Sequence, residues 1–596
     1  MGVTALLALF AVQAVHSLKQ KFTTFDEALY LSGGHSYLVT GDSRMVNLYH
    51  PPLAQLLVAL PLADLDLAPP ERDPAWTILD RDLSSRDFAL NFLYRNRVPW
   101  RTMLTRGRLM MVGLGVLIGL LVFSWAVEVW GLGAGFLALT LYAFSPNLLA
   151  HSRLTTTDFP VAGLSFAACY LLWRFVRRPE VLRLILAGLV LGLALLAKLS
   201  ALIFCVIVVL LATLYVLVPG GTTTGRTGWR GRLDAALGRN RASRAALAVG
   251  ALVVVFALAS AVIWLAYLGA TSEDSREDVI HQARVAVARA GRSEATTSSG
   301  PGLAGRLFPL ATRVIPWPKQ YWELLSWLLA KSQGGHPAFL AGRRSQTGWW
   351  YFFPLALAIK TPLPTLILVL VALALGWRRA RLFDWCFLLL PPVAFLLVSM
   401  TSRINIGYRH ILPMLPFLLV FGSQVAAWEV KQAWRKWTFA ALLLAWYVGG
   451  TLRVAPHYLA YFNELVGGPR QGYHYLVDSN LDWGQDLLGL ADHVREQGIE
   501  EVKLAYFGLA TPEVIRSLGI SHQPVKRGEE RRPTPGVYAI SATRLQGTYR
   551  MGLLGKPGEK PFHWLRKLEP ETVIGYTIFV YRVTEADVAK LQEQGQ

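Results

Sequence analysis

Long apolar runs separated by short polar connections dominate the first three quarters of the chain. A helix that crosses a hydrocarbon core about 30 Å thick needs about 20 consecutive apolar residues. Runs of this kind lie at 1–17, 108–128, 131–150, 159–176, 181–197, 199–218, 245–268, 350–376, 382–400, 408–428 and 437–455, which predicts eleven spans. The stretch from Val181 to Pro219 is too long for one span and divides near Lys198. The first run has no Lys or Arg before Lys19 and no clean small-residue cleavage site, so it reads as a span rather than a secretory signal. From 456 the pattern changes. A polar helical stretch at 487–497 precedes strand-like runs at 502–507, 537–541 and 577–583, which predicts a mixed α/β domain over 456–596. The expected fold is a polytopic α-helical membrane body over 1–455 followed by that domain, and no internal repeat is evident.

Composition agrees with this pattern and excludes alternatives. Only 16% of residues are charged, against about 25% in an average soluble domain. The charges are nonetheless lopsided, with 59 Lys and Arg against 39 Asp and Glu, a formal +20. A nucleic-acid binder would share the basic balance but not the 53% apolar content, so no nucleic acid is expected as a partner. Cys169, Cys205 and Cys386 all lie in apolar runs and form neither a disulfide framework nor a metal-binding spacing.

The basic residues orient the chain, because Lys and Arg collect on the cytoplasmic side of a membrane protein. With the N-terminus inside, short inner connections hold Arg174, Arg177, Arg178 and Arg183; Arg226, Arg230, Arg232, Arg239, Arg241 and Arg244; Arg378, Arg379 and Arg381; and Lys431, Arg435 and Lys436. The first outer loop is then 18–107, a later one is 269–349, and the C-terminal domain also lies outside.

Charges that break this pattern are the candidates for chemistry, since an ionisable group at membrane depth is expensive. Lys360 lies about ten residues into the eighth span, roughly 15 Å deep, among Pro354, Pro362 and Pro364, which would break the helix and admit water. Its plain alternative is snorkelling to the headgroups. Arg403, Tyr408, Arg409 and His410 stand at the outer mouth of the tenth span, where two arginines suit an anionic headgroup or serve only as interfacial anchors. Lys198 is a third cation on that side. The acidic candidates face the same compartment: Asp26 and Glu27 after the first span, and Asp158 closing the loop that contains Arg153. Taken alone, Asp158 also fits a helix N-cap, and an adjacent Asp-Glu pair is commonly solvated. His50, Pro51, Pro52 and Leu53 open an apolar stretch too short to span, which predicts a helix lying on the membrane surface.

The order of Asp26-Glu27, His50-Pro51-Pro52-Leu53, Gly192-Leu193-Ala194 leading to Lys198, and Lys360-Thr361-Pro362-Leu363-Pro364 resembles the dolichyl-phosphate-mannose protein mannosyltransferase superfamily, glycosyltransferase family 39. That family includes the bacterial aminoarabinose transferases that modify lipid A. The resemblance covers about 18–430. It implies a GT-C type fold and a glycosyltransferase that moves a sugar from a polyprenyl-phosphate donor to an acceptor hydroxyl on a lipid, glycan or protein. The active site would face the outer side of a bacterial cytoplasmic membrane. By the same resemblance Asp26 is the expected base, with inversion at the sugar, and Glu27 and Asp158 orient it or the acceptor. Arg409 and Lys360, with His410, Arg403 and Lys198, are the expected phosphate ligands; His50, Tyr408 and Arg153 are further site candidates. Members differ over metal use, so no cofactor is assigned and a divalent metal is left open.

One departure from the family pattern is the later outer loop, 269–349, which is too short for the β-trefoil insert of the protein mannosyltransferases proper. Asp478, Asn480, Asp482 and Asp486 form an oxygen-rich series, yet Trp483 and Gly489 stand where an EF-hand needs Gly and Glu, so the series is a weak Ca²⁺ candidate. A transporter or flippase of lipid-linked sugars, or a polysaccharide ligase, is the alternative function. A transporter would be expected to show related halves, and the Trp-Trp-Asp-Tyr-Gly signature of oligosaccharyltransferases is absent, Trp349-Trp350-Tyr351 lacking the Asp.

Overall fold

The computed structural model describes residues 1–46, 50–78, 81–217, 241–268, 312–376, 382–429, 432–526, 528–550 and 561–593. The expected inner basic residues Arg226, Arg230, Arg232, Arg239, Arg378, Arg379, Arg381 and Lys431, and the first half of the later outer loop, lie outside the described residues.

Among the described residues, eight helices are long and apolar enough to cross a membrane: Gly2–Lys19, Trp100–Trp130, Asp158–Arg177, Leu199–Leu217, Arg241–Tyr267, Leu382–Ser399, Tyr408–Ala427 and Trp434–Val454. The ninth, Phe352–Lys360 with Leu363–Ala374, is bent by 108°. The remaining two expected spans are apolar helices of insufficient length, Leu132–Ala143 and Val181–Ala197. The count of eleven is therefore not met by length and composition. The expected span at 131–150 fails because Phe144 and Ser145 interrupt it: the Ser145 side chain caps a separate short helix, Pro146–His151. The protein is a polytopic α-helical membrane protein with a C-terminal sheet domain.

Breaks in the helices follow from residue chemistry. The 31-residue helix Trp100–Trp130 stops at Gly131, whose φ of 94° only glycine adopts without strain, and the chain returns at once as Leu132–Ala143. Lys198 is extended between two helices, dividing the long apolar stretch where the pattern predicted. Pro362 has no N–H to donate, and Thr361 before it is extended, which makes the sharp bend. Carbonyls freed by that bend are paired by amide side chains. Asn463 Nδ2 donates to Ala358 O at 2.6 Å and Thr361 O at 2.8 Å, while Asn147 Nδ2 donates to Lys360 O at 2.7 Å.

The C-terminal sheet has five strands. In chain order after the hairpin β1 (Ala338–Leu340) and β2 (Arg343–Ser345), they are β3 (Val502–Ala505), β4 (His522–Pro524), β5 (Gly536–Ser541), β6 (Thr572–Ile574) and β7 (Ile578–Val583). Their spatial order is β4-β3-β5-β7-β6, with β3 parallel to β4 and β5, and β7 antiparallel to β5 and β6. Helix Leu487–Glu496 covers the sheet with Leu487, Leu490, Ala491 and Val494 in a shared core. The mixed α/β expectation is met.

The segment between the last long helix and this sheet is woven into the membrane body. Phe22 N donates to Gln485 O and Phe25 N to Trp483 O, both at 2.9 Å, and Asn463 N donates to Ile359 O at 2.9 Å. One end of the helix bundle therefore carries the first long loop, Lys198, the 400–407 turn and the sheet domain. Helix Asp158–Arg177 starts at that end and Val181–Ala197 returns to it, so Arg174, Arg177, Arg178 and Arg183 fall at the other end.

Candidate active site

A cavity of about 660 Å³ opens where the bundle end meets the sheet domain. Helix ends meet at and just beneath its floor. Asp26 precedes the first turn of Glu27–Thr40, Asp158 opens Asp158–Arg177, Lys198 occupies the extended break, and Arg409 and His410 begin the turn Tyr408–Met414. These side chains are far apart in sequence and converge on Arg409. Its Nη1 donates to Asp26 Oδ2 at 2.8 Å and lies 3.4 Å from Asp158 Oδ2, while Lys198 Nζ donates to Asp158 Oδ1 at 2.5 Å. The Arg409 guanidinium also rests on the Trp483 ring, 4.2 Å from its centroid, so an aromatic face from the C-terminal segment fixes its orientation.

The turn that presents Arg409 is itself tied to that segment. Tyr408 N donates to Asn480 Oδ1 at 2.8 Å, and both Ser479 Oγ and Asn480 Nδ2 donate to Ile406 O. Gly407 is required by this approach, because a Cβ there would sit 2.3 Å from Ser479 Oγ.

The two carboxylates that meet Arg409 differ. Asp158 is 1% exposed and both its oxygens face cations, whereas Asp26 is 19% exposed and its Oδ1 has no partner among the described residues. Arg409 Nε, His410 Nε2 and His50 Nδ1 are buried without a hydrogen-bond partner among the described residues. Five cations, Arg86, Lys198, Lys331, Arg409 and Arg544, line the cavity against two carboxylates, Asp26 and Asp478.

The far wall comes from the C-terminal segment and the later loop. Asp478 sits in the left-handed backbone region at φ 58°, held by its N–H on Thr543 Oγ1 and by the Tyr549 hydroxyl, which donates to its carboxylate. Burial pushes the Asp478 carboxyl above its usual range, although Tyr549 and Arg409 pull the other way. His336 stacks edge-on against Tyr549, 5.7 Å between centroids. Burial, reinforced by Lys198, holds His50 well below its ordinary value and so neutral.

Several expected site residues lie elsewhere. Glu27 is fully buried, and its carboxylate accepts from Arg108 Nε at 2.9 Å, Arg108 Nη2 at 2.6 Å, Thr24 N at 2.9 Å and Thr155 N at 3.1 Å. Burial alone would raise its carboxyl, but the Arg108 guanidinium wins and holds it below the usual range. Lys360 is not among the cavity-lining residues. Its ammonium donates to Leu459 O at 2.8 Å and to Asn480 O, and lies over the Phe462 ring. Arg403 is exposed and donates to Gln333 O at 3.0 Å. The Tyr408 hydroxyl pairs with Thr361 Oγ1, and Arg153 is buried with no hydrogen-bond partner for its guanidinium among the described residues. Neither lines the cavity.

The four residues of the weak Ca²⁺ candidate have separate partners. Asp478 faces Tyr549, Asn480 faces Ile406 and Tyr408, Asp482 accepts from Thr543 N, and Asp486 pairs with Lys21 and Thr577. Four side chains with four different sets of partners do not converge on one ion, and no cluster of three metal-ligating residues occurs among the described residues. Arg86, Lys331, His336 and Tyr549 line the cavity without having been expected there. All four lie outside the apolar runs, and the polar run from Lys331 to His336 after an apolar helix was the available signal.

The family model for dolichyl-phosphate-mannose-protein mannosyltransferases matches residues 103–229. That stretch contains Arg108, Arg153, Asp158 and Lys198, and over it the resemblance read from the motifs is met. No curated protein matches the chain significantly. Among solved structures, ArnT from Cupriavidus metallidurans bound to undecaprenyl phosphate is similar at 12% identity, with 99% of this chain and 98% of that chain covered and a TM-score of 0.44. The Pmt1-Pmt2 protein O-mannosyltransferase complex of S. cerevisiae, bound to the sugar donor, gives 19% identity, 46% and 34% coverage and a TM-score of 0.32. The oligosaccharyltransferase AglB of Archaeoglobus fulgidus, in complex with an inhibitory peptide and a dolichol-phosphate, gives 13% identity, 86% and 65% coverage and a TM-score of 0.42.

Proposed function

We propose that this protein is a membrane glycosyltransferase that moves a sugar from a polyprenyl-phosphate donor to an acceptor hydroxyl, at the outer face of a bacterial cytoplasmic membrane. The observation that carries the reading is the pairing of one partly exposed carboxylate, Asp26, with a cluster of cations in a single cavity. In the reaction, Asp26 takes the proton of the acceptor hydroxyl as its oxygen bonds to the anomeric carbon. The bond from that carbon to the phosphate oxygen breaks, and polyprenyl phosphate leaves with the electron pair. Arg409 and Lys198, with the His410 and His50 rings as further donors, stabilise the charge gathering on the phosphate. Attack opposite the leaving group inverts the anomeric centre.

In this reading Asp158 is a positioning residue, because its oxygens hold Lys198 and Arg409 rather than face the cavity. Glu27 ties the start of the first loop to the bundle through Arg108 and Thr155, and Lys360 ties the bundle to the C-terminal segment. The sheet domain faces outward, since the opposite end carries the arginine-rich connections.

A transfer assay separates this function from transport. Purified protein in vesicles, given a polyprenyl-phosphate sugar and a mixture of cell-envelope glycolipids, is expected to release polyprenyl phosphate. Movement of the intact donor across the bilayer without cleavage would establish the transporter instead.

A further inference from the structure

At the end of the bundle opposite the cavity lies a second pocket, of about 360 Å³, lined by Trp173, Arg174, Arg177, Arg178, Arg183 and Glu128 with Val129. It is formed where the helices Trp100–Trp130 and Asp158–Arg177 end and Val181–Ala197 begins. Four guanidinium groups thus face one lining carboxylate. The four are not equivalent. Arg177 is committed to the structure through buried Asp384 and through the faces of Trp173 and Phe383. Arg174 reaches Glu128 only at 3.4 Å, both side chains 36% exposed, whereas the Arg183 side chain is 16% exposed and donates to Arg174 O and Arg178 O besides pairing with Glu180 at 3.1 Å. A solvent-exposed pair such as Arg174–Glu128 contributes little to stability, so a phosphate can compete for Arg174. Arg178 is exposed and has no ion pair among the described residues.

The surroundings are those of a lipid rather than of a soluble anion. Leu132, Val181 and Leu182, within three residues of the lining residues Val129 and Arg183 along the chain and at the starts of their helices, are 60%, 73% and 65% exposed. Apolar side chains exposed at the end of a membrane helix offer a surface to acyl chains, and guanidinium groups above them match a phosphodiester.

We propose that this pocket binds the phosphate of an anionic phospholipid in the leaflet at that end, with its acyl chains along Leu132, Val181 and Leu182. The site is independent of the proposed transferase reaction.

The test uses the full chain reconstituted in phosphatidylcholine nanodiscs with and without phosphatidylglycerol, then extracted into detergent, with retained lipid counted by native mass spectrometry. Wild type is expected to retain phosphatidylglycerol in preference to phosphatidylcholine. Arg178→Gln removes an exposed side chain that supports no ion pair and should lower that retention about tenfold, the loss of one charged hydrogen bond. Arg174→Gln with Arg178→Gln should lower it further, whereas Arg435→Gln, an exposed arginine at the same end outside the pocket, should not. Unchanged retention in the first two variants, or an equal loss in Arg435→Gln, would overturn the proposal. So would displacement of the lipid by inorganic phosphate as readily as by added phosphatidylglycerol, which would indicate a site for the free anion.

Discussion

Glu27→Gln tests whether that carboxylate holds the fold. It keeps the side chain's shape and removes its charge. Four N–H donors converge on the Glu27 carboxylate, two from Arg108 and one each from the Thr24 and Thr155 backbone. A Gln oxygen serves two of them, while its NH2 group confronts the other two. Losing two charge-assisted bonds at about 1.5–3 kcal/mol each gives a destabilisation of about 3–6 kcal/mol. Arg108 would also remain buried with its charge uncompensated, since it is 1% exposed. Chemical unfolding in mixed micelles, followed by tryptophan fluorescence, reads the change. A loss below about 1 kcal/mol would mean that the four donors do not depend on this carboxylate, and would return Glu27 to the candidate acids.

Three further outcomes are expected. Asn463→Ala should destabilise the protein by about 2–6 kcal/mol in the same assay, because two carbonyls at the helix break lose their donor at about 1–3 kcal/mol each. Lys360→Met should lower stability while leaving polyprenyl-phosphate affinity unchanged in a binding titration; weakened affinity would place Lys360 at the phosphate after all. Asp482 gives a pH signature. Burial, with Asp486 adding to it, pushes its carboxyl from 3.8 up to about 7 against the pull of Thr543. The folded state therefore holds a proton that the unfolded state has lost, and stability falls as pH rises from about 4 to about 7. Asp482→Asn should remove that contribution, so its stability relative to wild type should grow across this window in unfolding curves taken at each pH.

Much of the membrane body was legible because apolar length and proline or lysine breaks act locally: the division at Lys198 and the bend at Pro362 both appear where the pattern placed them. The span count was less legible, since Phe144-Ser145 interrupts an apolar run without any charge to mark it. At the site, Asp26, Asp158, Lys198, Arg409 and His410 could be picked out as charges on one side of the membrane. Their pairing could not, because it depends on which helix ends meet. The sequence signal for Lys360 was real but ambiguous: a buried ammonium needs oxygen partners, and backbone carbonyls of the distant segment at Leu459 and Asn480 supply them as well as a phosphate would. His336 and Tyr549 owe their place at the cavity to the packing of the sheet domain on the later outer loop, which local pattern does not encode.

Whether Asp26 is the base of a sugar transfer, with the leaving phosphate held by the cluster around Arg409, is decided by single-turnover transfer in Asp26→Asn. A polyprenyl-phosphate sugar serves as donor, and donor affinity is measured alongside. Transfer is expected to fall about 10²–10⁴-fold while the donor still binds and the protein remains folded. Transfer at the wild-type rate would show that Asp26 is not the base.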